Sequence, residues 1–278
     1  MTGLTNPNFM YVGIDGAIHL AEDAVNATTA VPWSLCAAVV IGFLTAFPFV
    51  VAMFYCISDP VAVLQSPVPI FAIWGQAVKS FTGATVMTAF LLLTGYFSLN
   101  ACQQTASRLT WSFARDKALV FSNQISRIHP GLGVPVWALI ANAVVVFIMG
   151  CVYLGSTVAF NAIVGTCLIL MHVTIAIPIS FLMASGRDSR FLPQKRHWNM
   201  GAAGWLFNFI SVVWTLIVLV FYCFPATNPT SGSGMNYACA VLGVMALFGA
   251  VNWFVYARHH YKGPQINLSQ LREPYVSE

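Results

Sequence analysis

The chain has 278 residues, of which 58% are hydrophobic and only 7% charged, with a net charge of +4 and a mean hydropathy of +0.77. A water-soluble domain carries about 25% charged residues, so this composition excludes a water-facing surface and implies a lipid bilayer as solvent. The few Lys and Arg residues lie in short clusters between apolar runs rather than on one basic face, which argues against a nucleic-acid partner.

In chain order, Met1 to Phe9 lack the basic and apolar regions of a secretory leader, and none is expected. A mildly apolar segment follows, with Asp15, His19, Glu22 and Asp23. Six continuous apolar stretches come next: Trp33–Ile57, Phe81–Thr105, Val134–Leu154, Val158–Ala184, Trp205–Pro225 and Met235–Ala257. Each reaches the roughly 20 residues a helix needs to cross about 30 Å of hydrocarbon. None shows the alternation of a barrel strand, so all six are predicted to be spanning helices. Between the first two, Pro67–Ser80 holds Ile70, Phe71, Ile73 and Trp74, and is read as a short interfacial helix anchored by Trp74.

With the spans alternating in direction, Arg108, Arg115, Lys117, Arg127, Arg187, Arg190, Lys195, Arg196, Arg258, Lys262 and Arg272 fall on one side. These are eleven of the twelve Lys and Arg residues, and only Lys79 falls on the other. The positive-inside rule makes the crowded side cytosolic, together with the C-terminal tail. The seven cysteines sit in or at the ends of apolar stretches, with no CxxC or His/Cys spacing. They are read as packing residues, with neither a disulfide framework nor a metal site.

Chemistry concentrates in Tyr11-Val12-Gly13-Ile14-Asp15-Gly16-Ala17-Ile18-His19-Leu20-Ala21-Glu22-Asp23. Two glycines bracket an acid inside a segment apolar enough to enter a membrane, and glycine weakens a helix. Unwound backbone at membrane depth persists where it lines a cavity or is packed in protein, and such breaks hold the sites of many transporters. A surface loop leading into the first span is the other reading. In the second span Ser98 and Cys102 share a face at i, i+4, either lining a cavity or bonding to a neighbouring helix. His172 lies mid-way along the fourth span, as a packing residue or a proton-coupling group. Arg115 belongs to a charged turn with Asp116 and Lys117, read as a solvated loop or an intracellular gate.

Three motifs extend this reading. Gly13-x-Asp15-Gly16-Ala17-x-His19-Leu20-x-Glu22-Asp23, followed by Pro32, resembles the sixth transmembrane segment of fungal choline, GABA and amino-acid permeases, within the amino acid–polyamine–organocation superfamily. Arg108 and Ala114-Arg115-Asp116, then Phe121-Ser122, resemble the loop after that family's eighth segment. Met235-Asn236-Tyr237 and Tyr261-Lys262-Gly263-Pro264 resemble the opening and close of its last span. Lys117 and Val120 depart from the Gly and Pro common there, and Glu22-Asp23 from the usual pair of glutamates.

The resemblance implies an all-α membrane protein, a partial five-plus-five inverted-repeat transporter fold containing the second repeat and two extra helices. Residues 1–31 would be a partial broken transmembrane helix and a cytosolic turn, 32–257 the spanning region and 258–278 a cytosolic tail. Tyr11, Gly13, Ile14, Asp15 and Gly16 would line the substrate site with Ser98 and Cys102, while His19, Glu22, His172 and Arg115 would serve gating or coupling. The expected partners are an amine or amino-acid substrate, a coupling proton and the lipid bilayer of the plasma membrane, with no cofactor. The expected function is transport by alternating access as a fragment of a full permease. The competing readings are a non-transporting fragment or subunit needing another chain, and an acyltransferase using the short His19-x-x-x-Asp23 pattern.

Overall fold

In a computed structural model of the chain, residues 2–21, 24, 26–188, 198–225, 230, 232 and 235–263 are described, and the regular structure among them is helical. A 3-10 turn at Thr2–Leu4 leads into two short helices, α1 (Thr5–Phe9) and α2 (Gly16–His19). A long helix α3 (Ala27–Tyr55) follows, then α4 (Pro60–Gln65), α5 (Pro69–Val78) and the longest helix, α6 (Phe81–Arg115). After α7 (Ser122–Ile125) come α8 (Val136–Gly155), α9 (Thr157–Ala184), α10 (Ala203–Phe221) and α11 (Ala238–Asn252). A π-helical turn, Trp253–Ala257, joins α11 to α12 (Arg258–His260).

Taking Ala238–His260 as one, six of the described helices are long and apolar enough to cross a membrane. They correspond to the six predicted stretches, and the chain is a multi-pass membrane protein. The main difference is α6, which continues past Thr105 to Arg115 and so carries Arg108 inside the helix. Residues 106–115 contain neither Gly nor Pro, so nothing in the backbone stops the helix where the apolar run ends.

By its internal contacts the chain divides into two units, Tyr11–Thr105 and Met1–Met10 with Ala106–Glu278. In the first, the connection between α3 and α6 is a clamped helical pair. Asp59 caps α4 by accepting from the backbone N–H groups of Val61 and Ala62 at 3.0 and 3.1 Å, with Pro60 in the first turn. Gln76 of α5 accepts from the backbone of Ser58 and Asp59 at 2.8 and 3.0 Å, and returns a bond to Asp59 O at 3.1 Å. Trp74 is only 5% exposed. It is therefore a packing residue of α5 and not the membrane-interface anchor its sequence context implies, because its turn of the helix faces protein.

In the second unit α9 is the organising helix, touching α1, α8, α10 and α11. Its Leu168 and Ile169 form a buried cluster with Val218, Tyr222 and Ala238. Thr166 Oγ1 donates to Ala162 O at 2.7 Å and reaches Ala238 O at 3.3 Å, tying α9 to α11. Both α9 and α6 end in the same hydrogen-bonded motif, in which the two N–H groups beyond the helix return to its last turn. On α9 the left-handed position is Gly186, φ +66. On α6 it is Lys117, φ +61, with Lys117 N–H on Ala114 O and Ala118 N–H on Phe113 O, both at 3.0 Å.

Candidate functional site

Asp15 ends a run of turns between two short helical segments. Between α1 and α2, residues 10–15 form turns, closed by Ile14 N–H on Tyr11 O at 3.3 Å and Gly16 N–H on Gly13 O at 2.9 Å. Gly13 has φ +87, in the left-handed region that L side chains rarely occupy. The backbone resumes a helical course at Asp15, the residue before α2. Its carboxylate does not cap that helix; it pairs with His19 Nε2 one turn on, at 3.2 Å, both side chains being about one-third exposed (31% and 30%).

Gly16 is buried, and a Cβ there would come within 3.3 Å of Thr105 Oγ1, closer than ordinary van der Waals contact. Its lack of a side chain thus brings the start of α2 against α6. Thr105 lies at i+7 from Ser98 and i+3 from Cys102, on the same helix face. The polar stripe read from sequence therefore continues one turn further, to the residue that meets the interrupted segment. Ser98 and Cys102 themselves are exposed, and Ser98 Oγ donates to Thr94 O at 3.0 Å. Tyr11 packs on α3, its ring 3.3 Å from where a Cβ on Gly42 would sit. Ile14 is half-buried. Glu22 and Asp23 lie outside the described residues.

His172 stands in a second polar group. Its Nδ1 donates to Leu168 O at 2.8 Å, which leaves Nε2 as the acceptor facing Asn8 Nδ2 of α1 at 3.5 Å, the long end of hydrogen bonding. Asn8 Nδ2 also donates to Tyr222 Oη at 3.2 Å, and Tyr222 Oη donates to Leu4 O at 3.0 Å. Residues 4–8 are thereby fixed to α9 and to the end of α10. Sequence reasoning singled out His172 but not Asn8 or Tyr222. No local signal marked them: Asn8 sits in the largely polar run Thr5-Asn6-Pro7-Asn8-Phe9, and its partners are far away in sequence.

Arg115 closes α6. Its guanidinium lies over the Trp111 ring, 4.8 Å from the centroid, with Nη2 on Ser112 Oγ at 3.3 Å and Nε near Asp116 Oδ1 at 3.5 Å. These partners lie on its own helix or in the turn that follows it. Beside it, a cavity of about 270 Å³ lies between this end of α6 and the π-helical turn after α11.

Known proteins place the chain more sharply. A family model described as Amino acid permease matches residues 1–246. The choline transporter of Saccharomyces cerevisiae is 32% identical over 255 residues, 91% of this chain and 45% of that protein. Amino-acid permease 2 of Neurospora crassa is 30% identical over 269 residues, 94% of this chain and 48% of that one. The 7-keto 8-aminopelargonic acid transporter of Saccharomyces cerevisiae is 29% identical over 88% of this chain and 47% of its own length. The chain thus spans about half the length of the curated relatives it matches. No solved structure matches. These relatives are transporters and not enzymes, which removes the acyltransferase reading of His19 and Asp23. With six apolar helices, an interrupted segment holding Asp15 and a family match over residues 1–246, the chain belongs to the amino acid permease family.

Proposed function

We propose that the chain supplies the second half of a permease that moves amino acids or choline-like amines across the plasma membrane by alternating access. The observation that carries this reading is the interruption at residues 10–15, which presents Asp15 between Gly13 and Gly16 in a member of a permease family. In it Tyr11, Gly13, Ile14, Asp15 and Gly16 contact the substrate, with Ser98 and Cys102 on the adjoining helix. Asp15 meets the ammonium group, exchanging its bond to His19 for the substrate. The C-terminal tail is cytosolic, a placement that the one-sided basic residues support.

His172 takes the coupling proton. A proton on Nε2 would confront the Asn8 Nδ2 donor, so the Asn8 amide must turn over and offer Oδ1. Tyr222 can then donate to that oxygen and release Leu4 O, so protonation frees residue 4 while Asn8 stays bonded to His172 and Tyr222. Arg115, His19 and Glu22 act in gating.

Uptake of labelled choline and of labelled neutral amino acids, in a host lacking its own carriers, tests the site. With the first half of a relative co-expressed, Asp15→Asn is expected to cut choline uptake at least about tenfold, the loss of one charge-assisted contact of roughly 1.5–3 kcal/mol. Unchanged choline uptake in that variant, at equal surface expression, removes Asp15 from the site.

A further inference from the structure

Cys223 follows the last turn of α10 and Cys239 lies in the first turn of α11, at the two ends of one connection. Their thiols are hydrogen-bond partners, and Cys223 Sγ also donates to Leu219 O at 3.2 Å. Both are free thiols in this structure, Cys239 exposed and Cys223 half-buried. Spacing along the chain gives no hint of the pair, since neither a CxxC motif nor a shared helix joins them.

The surrounding backbone brings the two sulfurs together. Tyr222 and Ala238, their neighbours in sequence, belong to one buried cluster, and Cys223 packs against it. Asn236 Nδ2 donates to Tyr222 O at 2.7 Å and to Phe224 O at 3.2 Å, on either side of Cys223. The same side chain accepts from Ala238 N–H through Oδ1 at 3.0 Å, just before Cys239. One amide therefore clamps both cysteine-bearing turns. A disulfide forms only where the backbone already holds its two residues close, and this clamp meets that condition before any bond exists.

We propose that Cys223 and Cys239 are a dithiol site that closes to a disulfide by exchange with a low-molecular-weight disulfide such as oxidised glutathione. The exposed Cys239 attacks first, as its thiolate: its sulfur bonds one glutathione sulfur, the S–S bond of the reagent breaks and one glutathione thiolate leaves. Cys223, deprotonated in turn, attacks Cys239 Sγ in the mixed disulfide, and the second glutathione thiolate leaves. The two protein thiols are oxidised, the reagent disulfide is reduced to two thiols, and the cysteine protons end on the departing thiolates. With the tail cytosolic, α10 runs outward and the pair lies at the outer end of the helices, toward a medium in which disulfides persist. The closed bond ties the end of α10 to α11 beside Tyr222, whose hydroxyl bonds Asn8 and Leu4. Oxidation thus fastens the anchor of residues 4–8. The exchange itself depends on neither the transport reading nor the orientation.

The full chain, purified in reduced form in maltoside detergent, is incubated with oxidised glutathione, blocked with N-ethylmaleimide and digested for mass spectrometry. The expected product is a pair of peptides linked through Cys223 and Cys239, lighter by two hydrogen atoms and separated again by dithiothreitol. In Cys223→Ser the exchange stops after its first step, so glutathione is expected to stay on Cys239 at least about tenfold above the wild-type level. The wild-type product decides the matter even where the variant fails to fold. Wild-type Cys239 that keeps glutathione or is alkylated, with no linked peptide, overturns the proposal. A link formed only between two copies of the chain overturns it equally.

Discussion

Lys117 holds a position where glycine is the natural choice. Its φ of +61 places a Cβ in the left-handed region, at a cost of roughly 1–2 kcal/mol for an L residue. The equivalent residue after α9 is Gly186. Lys117→Gly gives up an exposed bond to Asn123 Oδ1 and relieves that cost, so it is expected to stabilise the protein by about 1 kcal/mol. Thermal unfolding in detergent measures this; an unchanged or lower midpoint would show that Lys117 is held by more than its backbone. The departure from glycine at Lys117 was legible in the motif, but the positive φ behind it was not, because it depends on where α6 ends. Asp15 shows the same division. Its flanking glycines mark it in the sequence, whereas its pairing with His19 at 3.2 Å is one of several rotamer choices that spacing leaves open.

At the scale of elements, hydropathy located the six long helices but not the ends of α6, since an apolar run ends where the lipid does and a helix ends where its backbone is capped. The short helices were less legible still. With four and five residues, α2 and α1 are too short to be stable alone and persist through what they touch. For α1 the touch points are Asn8 and Tyr222, 214 positions apart, whose pairing no local pattern encodes. Tyr222→Phe deletes the hydroxyl that bonds both Asn8 and Leu4. It is expected to cost overall stability only about 0.6–1.7 kcal/mol, as polar contacts in membranes do, while the backbone amides of residues 5–10 exchange faster with deuterium. Equal protection in wild type and variant would mean that other contacts hold α1, and would remove the release of Leu4 from the coupling scheme.

For the whole molecule, composition decided the solvent, because it is a sum over many residues that tolerates local error. What no sum provides is the partner surface of the substrate site. Ser98 and Cys102 are exposed, as residues lining a pathway would be if another segment forms the opposite wall. The chain covers 45% of the choline transporter of Saccharomyces cerevisiae and 48% of Amino-acid permease 2 of Neurospora crassa, and in the proposed function the remaining wall comes from the part of the permease outside the matched region. Uptake of labelled choline and amino acids, measured in a carrier-deficient host with this chain alone, with the first half of a relative alone and with both together, tests that directly. Uptake only when both halves are present, cut at least about tenfold by Asp15→Asn for the cation, is the expected result; no uptake from the pair, with both halves reaching the plasma membrane, would contradict it.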